Sequence, residues 1–151
     1  LVILSFLTNL MNFVLRRLIL YYTMCLQNPS MLWYYQIMAI GVDIEDINRF
    51  VGKSEAFLNR VFTPIELEYC MKYAKPESHL AARFCAKEAV VKALTALNIL
   101  NVSYNEIEVF HNDNQCPQIR ILKNLEKEVV FQVSLSHDRA KAIAFVTAEV
   151  Q

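Results

Sequence analysis

Net charge is the first thing this chain lacks. Its 151 residues carry fifteen basic and fifteen acidic side chains, a formal net charge of zero. Bulk electrostatics therefore gives no reason to expect a nucleic-acid partner, and an acidic partner must be met by a local basic patch. Acid is missing altogether before Asp43, and residues 1–37 hold only two charges, Arg16 and Arg17. That leaves residues 38–151 with thirteen basic against fifteen acidic side chains, net −2. Glycine is reduced to Gly41 and Gly52. The cysteines, Cys25, Cys70, Cys85 and Cys116, form no CxxC pair and no Cys/His ligand spacing, which argues against a zinc site. They read as free thiols of a reducing compartment, which places the protein in the cytoplasm. Internal repeats and low-complexity tracts are absent too. What is present is apolar: 55% hydrophobic against 20% charged, in a length that suits one domain with a buried core.

Residues 1–24 (LVILSFLTNLMNFVLRRLILYYTM) resemble a membrane segment, but the arithmetic is near neutral. Two arginines near the middle cost about 5–7 kcal/mol on an insertion scale, and about fourteen apolar residues return about 4–8. No basic region precedes the apolar run, as a secretory signal requires, and serine is too scarce for a transit peptide. Met38 sits directly before the first motif. Residues 1–37 are therefore read as an apolar extension outside the domain, which occupies 38–151. A membrane-bound or partner-bound helix is the competing reading.

Met38 to Ile44 predicts a short apolar strand in which Gly41 lets another backbone approach closely. Residues 45–53 place Ile47, Phe50 and Val51 on one side of a short helix ending at Gly52. A second helical piece runs from Glu55 to Arg60. Thr63-Pro64-Ile65-Glu66 is a capping box with proline at the first helical position, and its helix stops before Pro76. Ser78 to about Leu97 is the longest helical pattern, free of Gly and Pro. Alternating stretches follow at 106–110, 117–121, 129–136 and 141–150, with a hairpin turn at 111–115. Helices precede strands, so the expected class is α+β, a mostly antiparallel sheet packed against a long central helix and shorter helices.

Two carboxylates stand out. Asp43 ends the first strand, and Glu88 lies within the long helix among lysines. On a wheel of about 100° per residue, Glu88 shares its face with Ala81, Phe84, Lys92 and Thr95. The plainer alternatives are a surface Glu88–Lys92 pair worth about 0.3–0.5 kcal/mol, and Asp43 as a helix cap. Together the two acids suit magnesium, which takes few protein carboxylates and completes its shell with water and phosphate. Lys92 is on the correct side for this site, and Lys87 reaches a phosphate only at its edge. His137 ends a strand and can donate to a phosphate oxygen or accept a hydroxyl proton at neutral pH.

The runs IGVDIEDINRF, FLNRVFTPIELEYC, AARFCAKEAVVKAL and VSLSHD, in that order, resemble holo-acyl-carrier-protein synthase of the phosphopantetheinyl transferase superfamily. The likeness covers about residues 38–149, and FCAKEAVVK is its most specific part. It implies an α+β enzyme of fatty acid biosynthesis, moving the 4'-phosphopantetheine arm of coenzyme A to a serine of apo acyl carrier protein with magnesium. It also implies metal ligands at Asp43 and Glu88 and catalytic roles for Lys92 and His137. Lys87, Lys92, Ser136 and His137 would bind coenzyme A. Arg49, Lys53 and Arg60 would dock the acidic carrier, and the assembly would be a homotrimer with sites at subunit interfaces. One departure is clear. Family members continue the lysine block as Lys-Ala-Leu-Gly-Thr-Gly, whereas this chain has Lys92-Ala93-Leu94-Thr95-Ala96-Leu97, which should lengthen or stiffen the helix end. The serine needs a proton acceptor, which could be His137, a carboxylate or a water held by the cation. The alternatives are a transferase for a wider range of carrier domains, and a non-catalytic membrane-associated module anchored by residues 1–24.

Overall fold

The structure, a computed structural model, describes residues 38–151; the reading of residues 1–37 lies outside them. Strand β1 (Met38–Asp46) opens the fold and a 3-10 turn (Ile47–Phe50) follows it. Helices α1 (Glu55–Val61), α2 (Pro64–Met71) and α3 (Pro76–Ala96) come next. Then come β2 (Ile107–His111), β3 (Pro117–Ile121), β4 (Val129–His137) and β5 (Lys141–Val150). The larger sheet has the order β1-β5-β4 and the smaller one pairs β2 with β3, every pairing antiparallel. This is the α+β class expected, with the 21-residue α3 as the central helix.

Small residues bring α3 close to the sheet. On β5 the inward positions are Ala142, Ala144, Val146 and Ala148, and α3 answers with Cys85, Ala86, Ala89 and Ala93, all buried. The Cys85 thiol donates to the carbonyl of Ala142 at 3.2 Å. Larger apolar groups (Phe50, Phe62, Leu80, Leu94, Ile107) fill the space between α3 and the outer elements. Among the described residues no helix is long and apolar enough to cross a membrane.

Local chemistry explains most element ends. Thr63 caps α2 in a complete capping box with Glu66, and Pro64 occupies the first turn. Residues 45–53 do not form the expected helix. β1 continues through Glu45 and Asp46, paired with Ala142 and Lys141, and only one 3-10 turn follows. Ile47 and Phe50 still bury, three residues apart, while Val51 is exposed. Gly52 reverses the chain at φ +64°. Beyond Ala96, Asn98 takes φ 58°, and the amide of Ile99 donates to Leu94 O at 2.9 Å. Asparagine tolerates that left-handed position, so Asn98 closes α3 without a glycine.

Under α3 lies a buried charge network. Glu66 and Lys87 are both 0% exposed and pair at 2.7 Å. Lys87 also donates to the carbonyls of Tyr104, at 2.8 Å, and Ile107. Glu66 accepts the backbone amides of Thr63 (2.8 Å) and Val109 (2.9 Å). Thr63 Oγ1 donates to Glu108 at 2.9 Å, and Glu108 pairs with Arg120. The network ties α2, α3 and the start of β2 together. Burial holds the Lys87 ammonium below its ordinary pKa, against the pull of Glu66.

Candidate active site

Alternation along β1 builds the site. Ala39, Gly41, Asp43 and Glu45 occupy the inward positions, and Met38, Ile40, Val42 and Ile44 the outward ones. Gly41 is the crossing point with α3: a Cβ there would lie 1.8 Å from the carbonyl oxygen of Ala89 and 2.7 Å from its carbon. Only glycine allows that approach. Asp43, the next residue on that face, is thereby brought beside the helix one turn beyond Glu88. Lys92 Nζ donates to Asp43 Oδ1 at 2.8 Å and to the carbonyl of Val42 at 2.9 Å. Asp43 Oδ2 is buried with no hydrogen-bond partner among the described residues.

Glu88, half-buried, accepts a hydrogen bond from the Tyr104 hydroxyl. The plainer Glu88–Lys92 surface pair is not what forms, because the ion pair of Lys92 is with Asp43. The two carboxylates nevertheless share neighbours. The hydrogen bond that Lys92 donates to Asp43 is the main cause holding its pKa above the ordinary value, with Glu88 adding charge. The Tyr104 hydroxyl is pushed up to about 12 by burial first, then by its bond to Glu88 and by the charges of Glu88, Asp43 and Glu45. Burial likewise pushes the Cys85 thiol up to about 12, with Asp43 and Glu45 adding to it, so this cysteine is an inert core group at neutral pH.

These oxygens fit a hard divalent cation. The donors are carboxylates, and one of their atoms is buried and unpaired, a costly state that a cation would relieve. Among the described residues no three His, Cys, Asp or Glu side chains form a cage on their own. The protein would therefore supply only part of a coordination shell, as magnesium carrying a phosphate requires.

Other expected site residues are placed differently. Lys87 does not reach the pocket's edge: it is locked in the core by Glu66, because its position points under α3 toward α2 and β2. Ser136 and His137 do not join Asp43 and Glu88 within the chain. Ser136 pairs with Ile143 on the outward face of the sheet. His137 stands in the row of Ala142 and Glu45, two strand spacings or about 10 Å from β1. Its ring lies 6.3 Å from that of His79, which precedes Glu88 by nine residues, about 13 Å along α3. There it lines a cleft of about 470 Å³ with Asn48, Lys75, Ser78 and Arg139. Arg49, Lys53 and Arg60 are all exposed, Arg49 paired with Glu45 and Lys53 set 5.2 Å above the Phe57 ring.

Sequence reasoning missed three residues. Glu45 repeats Asp43 at the strand period of two, a signal that was present. Tyr104 follows Ser103 in an S-x-x-E capping box, which fixes its turn. Arg83 is buried without an acidic partner among the described residues. Its guanidinium lies 3.9 Å over the Tyr69 ring, one nitrogen is 3.5 Å from His111 Nδ1, and its Nε is unpaired. Nothing in its spacing distinguishes it from a surface arginine.

Strand β1 and helix α3 thus set Asp43 against Lys92, with Glu88 one turn earlier on the same helix. The family model of the 4'-phosphopantetheinyl transferase superfamily matches residues 39–146. The chain belongs to the holo-[acyl-carrier-protein] synthase family. A holo-[acyl-carrier-protein] synthase of Thermodesulfovibrio yellowstonii is 41% identical over 114 residues, covering 73% of this chain and 96% of that protein. That of Halothermothrix orenii is 41% identical over 123 residues, covering 75% and 98%. Among solved structures, the Chronobacterium ammoniagenes ACPS-CoA complex superposes with TM-score 0.66 at 25% identity, covering 77% of this chain and 99% of that one. The Bacillus anthracis holo-(acyl-carrier-protein) synthase in complex with CoA (3',5'-ADP) superposes with TM-score 0.63 at 28% identity, covering 75% and 96%. The protein is thus a transferase of this family, and the site on β1 and α3 lies within the matched region.

Proposed function

We propose that this chain transfers the 4'-phosphopantetheine group of coenzyme A to a serine hydroxyl of an apo acyl carrier protein, with magnesium, in cytoplasmic fatty acid biosynthesis. The observation that carries the reading is Asp43, its Oδ1 held by Lys92 and its buried Oδ2 without a partner among the described residues. Relatives solved with coenzyme A or 3',5'-ADP support the donor. In the reaction the serine oxygen forms a bond to the β-phosphorus and the bond from that phosphorus to the bridging oxygen breaks, releasing 3',5'-ADP. Asp43 and Glu88 would hold the magnesium ion, which would supply positive charge against the pyrophosphate. Lys92, half exposed, offers its ammonium to a phosphate oxygen while its bond to Asp43 keeps it in place. The serine proton goes to a carboxylate of the Asp43–Glu45–Glu88 group, or to His137 if a second copy supplies it, since within one chain His137 is too distant.

The homotrimer reading is supported by the outward face of β1. Met38, Ile40, Val42 and Ile44 are 49% to 60% exposed, and Ile143 and Phe145 continue the patch on β5. An apolar strip of that kind marks an interface, and a second copy of the chain fits it. Ser136 lies on this same face, so assembly would bring it into a shared coenzyme A site. Arg49, Lys53 and Arg60, exposed between the 3-10 turn and α1, form the basic surface for the acidic carrier.

Incubation of apo carrier protein with this protein, coenzyme A and magnesium, read by mass spectrometry, should show a gain of one phosphopantetheine group. Glu88→Gln should abolish the gain with the fold intact. Full transfer by that variant would end the metal-ligand assignment, and no transfer by the unaltered protein would end the whole reading.

A further inference from the structure

Among the described residues Glu88 has one hydrogen-bond partner, of an unusual kind. Among the described residues it forms no ion pair. Its Oε1 instead accepts the hydroxyl of Tyr104, sixteen residues on and in a different element. That tyrosine is held from several directions. Its carbonyl accepts Lys87 Nζ at 2.8 Å, and so connects to the fully buried Glu66–Lys87 pair. Its ring packs on Phe84, with centroids 5.5 Å apart. Its turn is closed by the capping box of Ser103 and Glu106, with Ser103 N donating to Glu106 at 2.8 Å. A phenol fixed at ring, backbone and turn holds a carboxylate oxygen in one place.

We propose that Tyr104 is a positioning residue that occupies Oε1 of Glu88 and leaves Oε2 as a one-oxygen ligand, so that the site takes magnesium in preference to calcium. This rests on Asp43 and Glu88 being the metal ligands. The physical basis is coordination geometry. Magnesium demands a near-octahedral shell at about 2.0–2.1 Å, met by single oxygens and water, whereas calcium accepts bidentate carboxylates at about 2.3–2.6 Å. A carboxylate oxygen that accepts a rigid phenol on one lone pair is held in place by it, which disfavours swinging both oxygens onto one cation. Outer-shell partners of this kind typically control affinity by about 10- to 100-fold. The position of Lys87 supports the assignment: a lysine beside the acid motif acts on the site through the backbone of Tyr104 rather than by touching a phosphate.

The test is calorimetric titration of Mg2+ and Ca2+ into the full chain and into Tyr104→Phe, each with saturating 3',5'-ADP to supply phosphate oxygens, and with thermal melting as a fold check. The phenylalanine keeps the contact with Phe84 and removes only the hydroxyl. Mg2+ affinity should fall about 10-fold, within the range for outer-shell ligands, while Ca2+ affinity is unchanged or rises. In transfer assays the magnesium concentration for half-maximal rate should rise by the same factor, with the KM for carrier protein unmoved. Tyr104→Met, which lacks the donor on a different apolar body, should give the same change in Mg2+/Ca2+ preference. If either folded variant keeps the unaltered selectivity, the proposal is overturned. If the unaltered protein binds no Mg2+, or if Glu88→Gln binds it as well as the unaltered protein, the metal-site reading itself has failed, a result distinguishable from failure of the tyrosine's role alone.

Discussion

Replacing Gly41 by alanine tests the geometry on which the site depends. The added Cβ would stand 1.8 Å from Ala89 O, 2.7 Å from its carbonyl carbon and 3.1 Å from its Cα. All three atoms are backbone within α3, so no side chain can swing aside. To restore even a tight 3.0 Å contact, β1 and α3 must separate locally by about 1.2 Å, the difference between 3.0 and 1.8 Å. Overpacking of this severity costs about 3 kcal/mol, the upper end of the usual range. For a domain of this size that lowers Tm by roughly 10–20 °C. The same separation stretches the 2.8 Å Lys92–Asp43 bond beyond hydrogen-bond range. Misplacement by about 1 Å at a reacting centre can cost about 100-fold in rate. Urea unfolding at fixed protein concentration and carrier-protein transfer below the melting range would read the two effects separately. An alanine variant with Tm within about 2 °C of the parent and undiminished transfer would refute the claim that strand–helix contact at Gly41 sets Asp43 in place.

Other consequences follow from the same structure. Lys87→Met strands the buried Glu66 carboxylate and should cost about 3–5 kcal/mol in urea unfolding; a loss below about 1 kcal/mol would mean that the pair is not a buried charge couple. Burial, then the charge of Arg83, holds His79 and His111 below the ordinary 6.5, with His137 and His111 adding to the effect at His79. Below that value the unfolded chain binds more protons than the folded one. Stability present above pH 6.5 should therefore be lost as pH falls through the depressed folded values, read as a urea midpoint that declines on acidification and declines less in His79→Gln. A midpoint that rises on acidification contradicts this. Ile44→Lys puts a charge on the outward strip and should lower the assembly state in sedimentation while each copy keeps its far-ultraviolet circular dichroism; unchanged assembly would remove that face from the interface.

Much of the fold was readable because local chemistry and burial agreed. Thr63-Pro64-Ile65-Glu66 predicts a helix start by capping alone, and the start is there with both reciprocal bonds formed. The alternating strands were visible for the same reason, one face meeting α3 and the other not. Residues 45–53 misled because Ile47, Phe50 and Val51 satisfy a helical period, whereas strand pairing of Glu45 and Asp46 with β5 leaves room for one 3-10 turn only. At the site, Asp43 and Glu88 stood out as acids in apolar surroundings, and the side of the helix that the wheel gave Lys92 is the one from which it pairs with Asp43. The wheel gave the direction of Lys87 but not what covers it. Its partner Glu66 comes from the capping box of another helix, and its acceptor Tyr104 from beyond the end of α3. Such contacts between elements leave no periodic trace.

The run Lys87-Glu88-Ala89-Val90-Val91-Lys92 divides its duties by angle. Consecutive residues on a helix are about 100° apart and residues four apart about 40°, so Lys87 and Glu88 face different surroundings while Glu88 and Lys92 face nearly the same ones. Lys87 turns into the core, where only an anion and two carbonyls make its charge tolerable. Glu88 turns to the Tyr104 hydroxyl and Lys92 to Asp43 on β1, beside the crossing of Ala89 and Gly41. Identical ammonium groups five positions apart therefore have opposite consequences. Removal of Lys87 should register first as lost stability, and removal of Lys92 as lost transfer with the fold kept. The connection between them runs through Tyr104, which takes its backbone position from Lys87 and gives its hydroxyl to Glu88. A buried ion pair contributes little net stability against an apolar replacement, but it fixes direction, and here the direction it fixes is that of a carboxylate in the candidate active site.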